Sequence, residues 1–195
     1  MKISAYERME LLKAWFAVSL AFAILFSGGL TGIFSSKMIF YFLISAFTVG
    51  IGFLLHELAH KVVAQRYGCW AEFQSDGKML LFMIAVSFLG FVFAAPGAVV
   101  IHGFLDRARN GKISVVGPLM NVILALFFFF GSWIMSGAIG DIFSYGFVIN
   151  SWLALFNMLP FWTFDGAKVF QWNKTVFTIV TGIAALLVFF SGLSF

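Results

Sequence analysis

Apolar residues run through this chain in long blocks separated by short polar punctuation. A membrane helix needs roughly 20 apolar residues to cross a hydrocarbon core of about 30 Å. Five blocks meet that length and predict spans over Ala14–Phe34, Ile39–Val63, Ile113–Met135, Ile142–Trp162 and Val176–Leu193. Met1–Lys13, charged and mildly amphipathic, is expected at the membrane interface. Ser35-Ser36-Lys37 and Ser136–Asp141 are short connections, and Lys168–Lys174 joins the last two spans. Gln65–Lys78 is the longest polar stretch, with Arg66, Glu72, Asp76 and Lys78.

A sixth apolar block, Met79–Ile101, reads differently. Ala95-Pro96-Gly97-Ala98 would break a helix there. Val86, Phe88, Phe91, Val92 and Phe93 precede the break, and Val99, Val100 and Ile101 follow it. Two short strands around a Pro-Gly turn fit this better than one helix. Such backbone is tolerated at membrane depth only where protein packs around it or it lines a cavity.

Charge decides between dip and span. If the block dips in and returns, one side of the membrane carries Lys2, Arg8, Lys13, Lys61, Arg66, Lys78, Arg107, Arg109, Lys112, Lys168 and Lys174. The other side then carries only Lys37, a split of 11 to 1. If the block spans, the split becomes 6 to 6. The excess of Lys and Arg on cytoplasmic loops favours the dip, with the N-terminus in the cytoplasm. The expected fold is a single domain over residues 1–195. It is an all-α polytopic membrane protein of about five transmembrane helices, with a membrane-dipping β-hairpin between the second and third.

Composition agrees. Of 195 residues, 62% are apolar and 10% charged, against about 25% charged in soluble domains. The net charge of +4 is a topology signal here and not a nucleic-acid patch. Cys69 is the single cysteine, which excludes an intrachain disulfide and any zinc site built from several cysteines. No cleavable signal peptide is evident, because the first apolar run is long enough to be an anchor.

The candidate chemistry sits in the second span, at His56-Glu57-Leu58-Ala59-His60. Residues i and i+4 share a helix face, so His56 and His60 can grip one metal ion. Glu57 stands beside them, where it can act on a water. This H-E-x-x-H spacing is that of zinc peptidases, with two imidazoles on the metal and the glutamate as general base. Ionisable groups at membrane depth are costly, which itself points to function. Two of the three histidines fall in this one turn.

A catalytic zinc takes three protein ligands and leaves one position open. The third ligand should lie at the same depth. His60 immediately precedes Lys61 at the inner end of the second span, and Asp165 lies three residues before Lys168 at the inner end of the fourth. Asp165 is therefore the candidate. Asp141 is expected on the outer side, Asp106 in a basic loop, and Glu72 and Asp76 in a polar loop. His102, at the end of the dipping block, is the fallback.

Three motifs, H-E-L-A-H at 56–60, G-P-x-x-N at 117–121 and N-x-x-P-x-x-x-x-D-G at 157–166, together resemble the site-2 protease family of intramembrane zinc metalloproteases. The resemblance covers residues 40–172. It implies one zinc held by His56, His60 and Asp165, and Glu57 as the catalytic base. It also implies a membrane-dipping hairpin after the motif helix, and a form without appended soluble domains. Trp162-Thr163-Phe164 are bulkier than the proline-rich run usual before that aspartate. The implied reaction is hydrolysis of a peptide bond in or near the transmembrane segment of a membrane protein. Control would come from a partner or a prior cut of the substrate. Asn121 is a second catalytic candidate, as a donor to the developing oxyanion. The partners expected are a transmembrane substrate and the lipid bilayer, with no nucleic acid.

Blander readings stand beside these. The histidine motif could cap a helix end, and Asp165-Gly166 could be a helix-terminal turn. Asn121, Asn150 and Asn157 could be interhelical glue, and Cys69 an inert interfacial thiol. Pro160 is expected to break the fourth helix so that Asp165 turns inward. Two other functions would use the same ligands: a metal transporter, or a scaffold that binds membrane segments without cutting them. The outer halves of the spans lack the polar residues a permeation path needs, and the intact Glu57 argues for hydrolysis. Neither a G-x-S-G nor a G-x-G-D protease motif is present, since Ala138 stands at the first glycine position before Gly140-Asp141.

Overall fold

Apolar runs in the computed structural model, which describes residues 2–92 and 96–192, fold almost entirely as helix. Among the described residues, five helices are long and apolar enough to cross a membrane. They are α1 (Ala5–Ser27), a continuous helix over Met38–Arg66, α5 (Arg107–Ile134), α6 (Gly137–Asn157) and α8 (Lys174–Gly192). Met38–Arg66 comprises α2 (Met38–Ser45), a π-helical turn (Ala46–Gly50) and α3 (Ile51–Arg66). This is the multi-pass all-helical architecture expected, and a two-stranded sheet lies between its second and third long helices. The last span was expected to reach Leu193, which lies outside the described residues.

The chain divides into two compact units. The first comprises Met1–Leu54 and Glu72–Val100. Its α1 starts nine residues before the expected span. Ser4 caps it, with its Oγ accepting the Glu7 N–H at 3.0 Å. The interfacial segment expected over Met1–Lys13 is therefore mostly the first turns of a long helix; Met1 lies outside the described residues. The reason is that Glu7 and Glu10 face protein instead of water, at 1% and 5% exposure. Gly50 lets the π-helical turn approach α1, since a Cβ there would press on the Trp15 indole and the Ser19 hydroxyl.

The hairpin differs from expectation. Its strands are β1 (Trp70–Ser75) and β2 (Gly97–His102), with helix α4 (Gly77–Ser87) between them. The first strand was expected within Met79–Phe93, which is instead largely helical. Asp76 caps α4, accepting the N–H groups of Lys78 and Met79 at 2.9 and 3.2 Å. That cap and the following Met and Leu residues favour helix, and outweigh the β preference of Val and Phe, which is context-dependent. β1 lay hidden in a stretch read as polar, but it alternates: Ala71 and Phe73 are buried while Trp70 and Gln74 are exposed. Of the expected turn, Ala95 lies outside the described residues, as does Phe93; Pro96 precedes β2 and Gly97 opens it. The strands are antiparallel, and Asp76 N–H donates to the Pro96 carbonyl at 3.1 Å.

The second unit comprises Leu55–Ala71 and Ile101–Phe195. Asp106 caps α5 through the Arg109 N–H, so the expected basic loop over 106–112 is its first two turns. α5, α6 and α8 enclose Val122, Phe128, Phe147, Ala154 and Leu187. Phe128 seats on Gly146 and Phe143 on Gly131, where no Cβ could fit. A second cluster of Val115, Met158, Val169 and Val180 ties these helices to the short α7 (Asp165–Trp172). Lys61, counted above among loop charges, is buried inside α3 at 2% exposure, because that helix runs on to Arg66. Cys69, expected as an inert thiol, is buried against Gly103.

Candidate metal centre

All the candidate ligands lie in the second unit. The helical spacing of His56 and His60 brings their Nε2 atoms to 3.0 Å. Asp165 reaches them from α7. Its Oδ2 lies 3.3 Å from His56 Nε2 and 3.0 Å from His60 Nε2. Among the described residues, these three form the one buried His, Cys, Asp or Glu group that could hold a metal ion. Glu57 is buried at 8% exposure, in the same turn of α3 as the histidines.

Three small features allow this convergence. Gly117 on α5 gives the imidazoles room, since a Cβ there would collide with both rings. Gly166 abuts the Met158 and Leu159 carbonyls, so α7 starts directly on the end of α6. Pro160 lies in the connection between them, and α6 ends at Asn157. Asp165, as the first residue of α7, is thereby turned back toward α3. Lys168, one turn on, stands 3.6 Å from Asp165 Oδ1. The lysine is 42% exposed, and such a pair adds little stability.

The outer ring nitrogens are held as well. His60 Nδ1 lies 2.7 Å from the Ile113 carbonyl. A carbonyl can only accept, so His60 carries a hydrogen on Nδ1, and in the neutral ring its Nε2 lone pair faces Asp165. His56 Nδ1 lies 2.6 Å from Asn121 Oδ1. Anchoring the second nitrogen of a ligating histidine in this way fixes its tautomer and orientation.

These contacts provide the test of fit. Two imidazole lone pairs and a carboxylate oxygen face one another at 3.0–3.3 Å. Three acceptors so close repel unless a cation lies among them. Zinc bonds of about 2.0–2.1 Å in a tetrahedron set donor atoms roughly 3.3 Å apart, so the triangle is close to the right size. A metal ligand binds through its deprotonated form, a carboxylate here. His56, His60 and Asp165 can hold one metal ion.

The other candidates fall elsewhere. His102 is exposed at the end of β2, its ring 5.0 Å from that of Trp70. Asp76 and Asp106 are helix caps, Asp141 is exposed, and Glu72 accepts the Ser4 hydroxyl. Asn121, expected as an oxyanion donor, has its Oδ1 on His56 and its Nδ2 on Asn150 Oδ1 at 3.1 Å. This geometry orients His56. Asn157 donates back to the Leu153 carbonyl at 2.9 Å. Sequence reasoning missed the Ile113 carbonyl and Gly117 as parts of the site. The glycine stood within the G-P-x-x-N motif, whereas a backbone carbonyl leaves no signal in sequence.

Two known proteins are similar to the chain. "Putative zinc metalloprotease MJ0611" of Methanocaldococcus jannaschii is 41% identical over 185 residues, covering 92% of this chain and 93% of its own. "Putative zinc metalloprotease YwhC" of Bacillus subtilis is 29% identical over 145 residues, 64% of this chain and 66% of its own. No family model and no solved structure matches. With 41% identity along nearly the whole of both chains, and a His-His-Asp group able to take zinc, this chain belongs to the same family of zinc metalloproteases as the Methanocaldococcus protein.

Proposed function

We propose that this chain is an intramembrane zinc metalloprotease of the site-2 type. It hydrolyses a peptide bond in or near the transmembrane segment of a membrane protein. The observation that carries this reading is the convergence of His56, His60 and Asp165 in a chain of long apolar helices, with Glu57 in the same turn.

His56, His60 and Asp165 hold the metal. Bound zinc supplies Lewis acidity toward a water and the scissile carbonyl. Glu57 takes the proton of the attacking water and passes it to the leaving amine. The amine departs neutral and the carboxylate is regenerated. The charge split, 10 to 1 once the buried Lys61 is set aside, supports a cytoplasmic N-terminus and a site nearer that side of the cell membrane.

A helical substrate hides its peptide bonds behind its own hydrogen bonds, so it must unwind, and a strand edge holds it extended. Two outward N–H groups of β1 are already taken: Phe73 N–H by Glu7 Oε1 and Ser75 N–H by Glu10 Oε2. β2 is then the edge for substrate. Asp76 faces Pro96 in a hydrogen-bonded pair, so 74 faces 98 and the Val99 N–H points away from β1. Val99→Pro should lower cleavage about fivefold, the equivalent of one backbone hydrogen bond, without loss of zinc. Cleavage at the wild-type rate would remove β2 from the reading.

The primary test measures bound zinc and cleavage of a transmembrane substrate on the same purified samples. Wild type should hold about one zinc and cleave. Glu57→Gln should hold zinc and be inactive, and Asp165→Ala should lose both. A wild type without zinc, or an active Glu57→Gln, overturns the proposal.

A further inference from the structure

Asn150 and Asn121 are both fully buried, at 0% exposure, in the middle of apolar helices α6 and α5. Buried amides need hydrogen-bond partners, and these two side chains bond to each other. The direction of those bonds can be read from one end. Asn150 Nδ2 lies 2.9 Å from the Gly146 carbonyl. That carbonyl can only accept, so the amide nitrogen must face it. Asn150 then presents Oδ1 to Asn121, which must answer with Nδ2, at 3.1 Å. Asn121 is left with Oδ1 toward His56, 2.6 Å from Nδ1. An oxygen there demands a hydrogen on Nδ1, and the His56 lone pair falls on Nε2, facing Asp165 and His60.

We infer that Asn150 is a positioning residue of the metal centre, which acts through Asn121 to set the tautomer of His56. The inference rests on reading His56 as a metal ligand. The two histidines reach the same state by different routes. His60 is held by a backbone carbonyl that no substitution removes, whereas His56 depends on a relay of two side chains across two helices. If Asn150 were removed, the Asn121 amide would lose an acceptor that fixes its direction. Turned over, it would offer its NH₂ to Nδ1, draw the lone pair there and leave the hydrogen on Nε2, where the metal should bind.

The experiment is zinc affinity by chelator competition on detergent-purified, full-length protein, with the zinc-free thermal midpoint recorded alongside. The set is wild type, Asn150→Leu, Asn121→Leu and the double variant. Supporting groups beyond the ligands are worth about 10–100-fold in metal affinity. Asn150→Leu should weaken zinc at least tenfold. The double variant should be no weaker than Asn121→Leu alone, because Asn150 acts only through Asn121. Interhelical glue would instead lower the thermal midpoint and leave zinc affinity within twofold, and that result overturns the inference. So does full additivity of the two losses. A wild type that binds no zinc sinks the metal reading itself, which separates the two failures. Should Asn150→Leu not fold, ¹⁵N shifts of zinc-free wild type give a second test, tractable with three histidines. The hydrogen of His56 is expected on Nδ1, and finding it on Nε2 overturns the inference.

Discussion

The two units of this chain each bury acidic side chains, and they do so for different ends. In the first, Glu7 and Glu10 reach from α1 to β1 and accept backbone N–H groups from Phe73 and Ser75; the Ser75 hydroxyl adds a further bond to Glu10. In the second, Asp165 faces two imidazole nitrogens whose other nitrogens are held by oxygen acceptors. In the first arrangement each carboxylate meets donors. The second brings acceptors together and needs a cation. Burial of a carboxylate therefore does not mark a functional site. What marks it is whether its neighbours already satisfy it.

Three substitutions bear on that contrast. The largest effect is expected at Gly117→Ala. The new methyl would push both imidazoles off their Nδ1 partners, so zinc affinity should fall by at least 100-fold, although alanine favours the helix by about 1 kcal/mol. Zinc-to-protein ratio and circular dichroism measure the two effects separately, and retained zinc would mean that the rings are not packed on α5 as described. Glu7→Leu should act the other way. It removes the acceptor of a buried N–H, which costs about 1–3 kcal/mol, and should lower the denaturation midpoint while leaving zinc content intact. Loss of zinc without loss of stability would erase the distinction between the two kinds of buried acid. The smallest effect is expected at His102→Ala, which should leave zinc affinity within twofold. A clear drop would bring the hairpin histidine into the centre.

Much of the site was legible because its chemistry needs particular residue types at particular spacings. His56 and His60 are four apart because a helix turns in 3.6 residues. Asp165 was matched to them by expected membrane depth, although Lys61, the marker used beside His60, lies inside α3. The helix boundaries were less legible. α1 begins nine residues early because Glu7 and Glu10 find donors on β1, a contact no local pattern reports. β1 was taken for a polar loop because its alternation is only six residues long. Lys61 was placed in a loop because charge alone does not tell a buried ammonium from a solvated one.

By itself, then, the amino-acid order determined the class of protein, the number of spans and the identity of three candidate ligands. These follow from hydrophobic block length and from the donor chemistry of His and Asp, which are properties of the residues. Only the tertiary structure decided which atoms converge and in what state. That Nε2 of both histidines faces Asp165 depends on Ile113, on Asn121 and, through it, on Asn150. That Asp165 can arrive at all depends on the missing Cβ atoms of Gly117 and Gly166. Hydrogen-bond direction and close approach are relations between distant segments, and they exist only once the helices have packed.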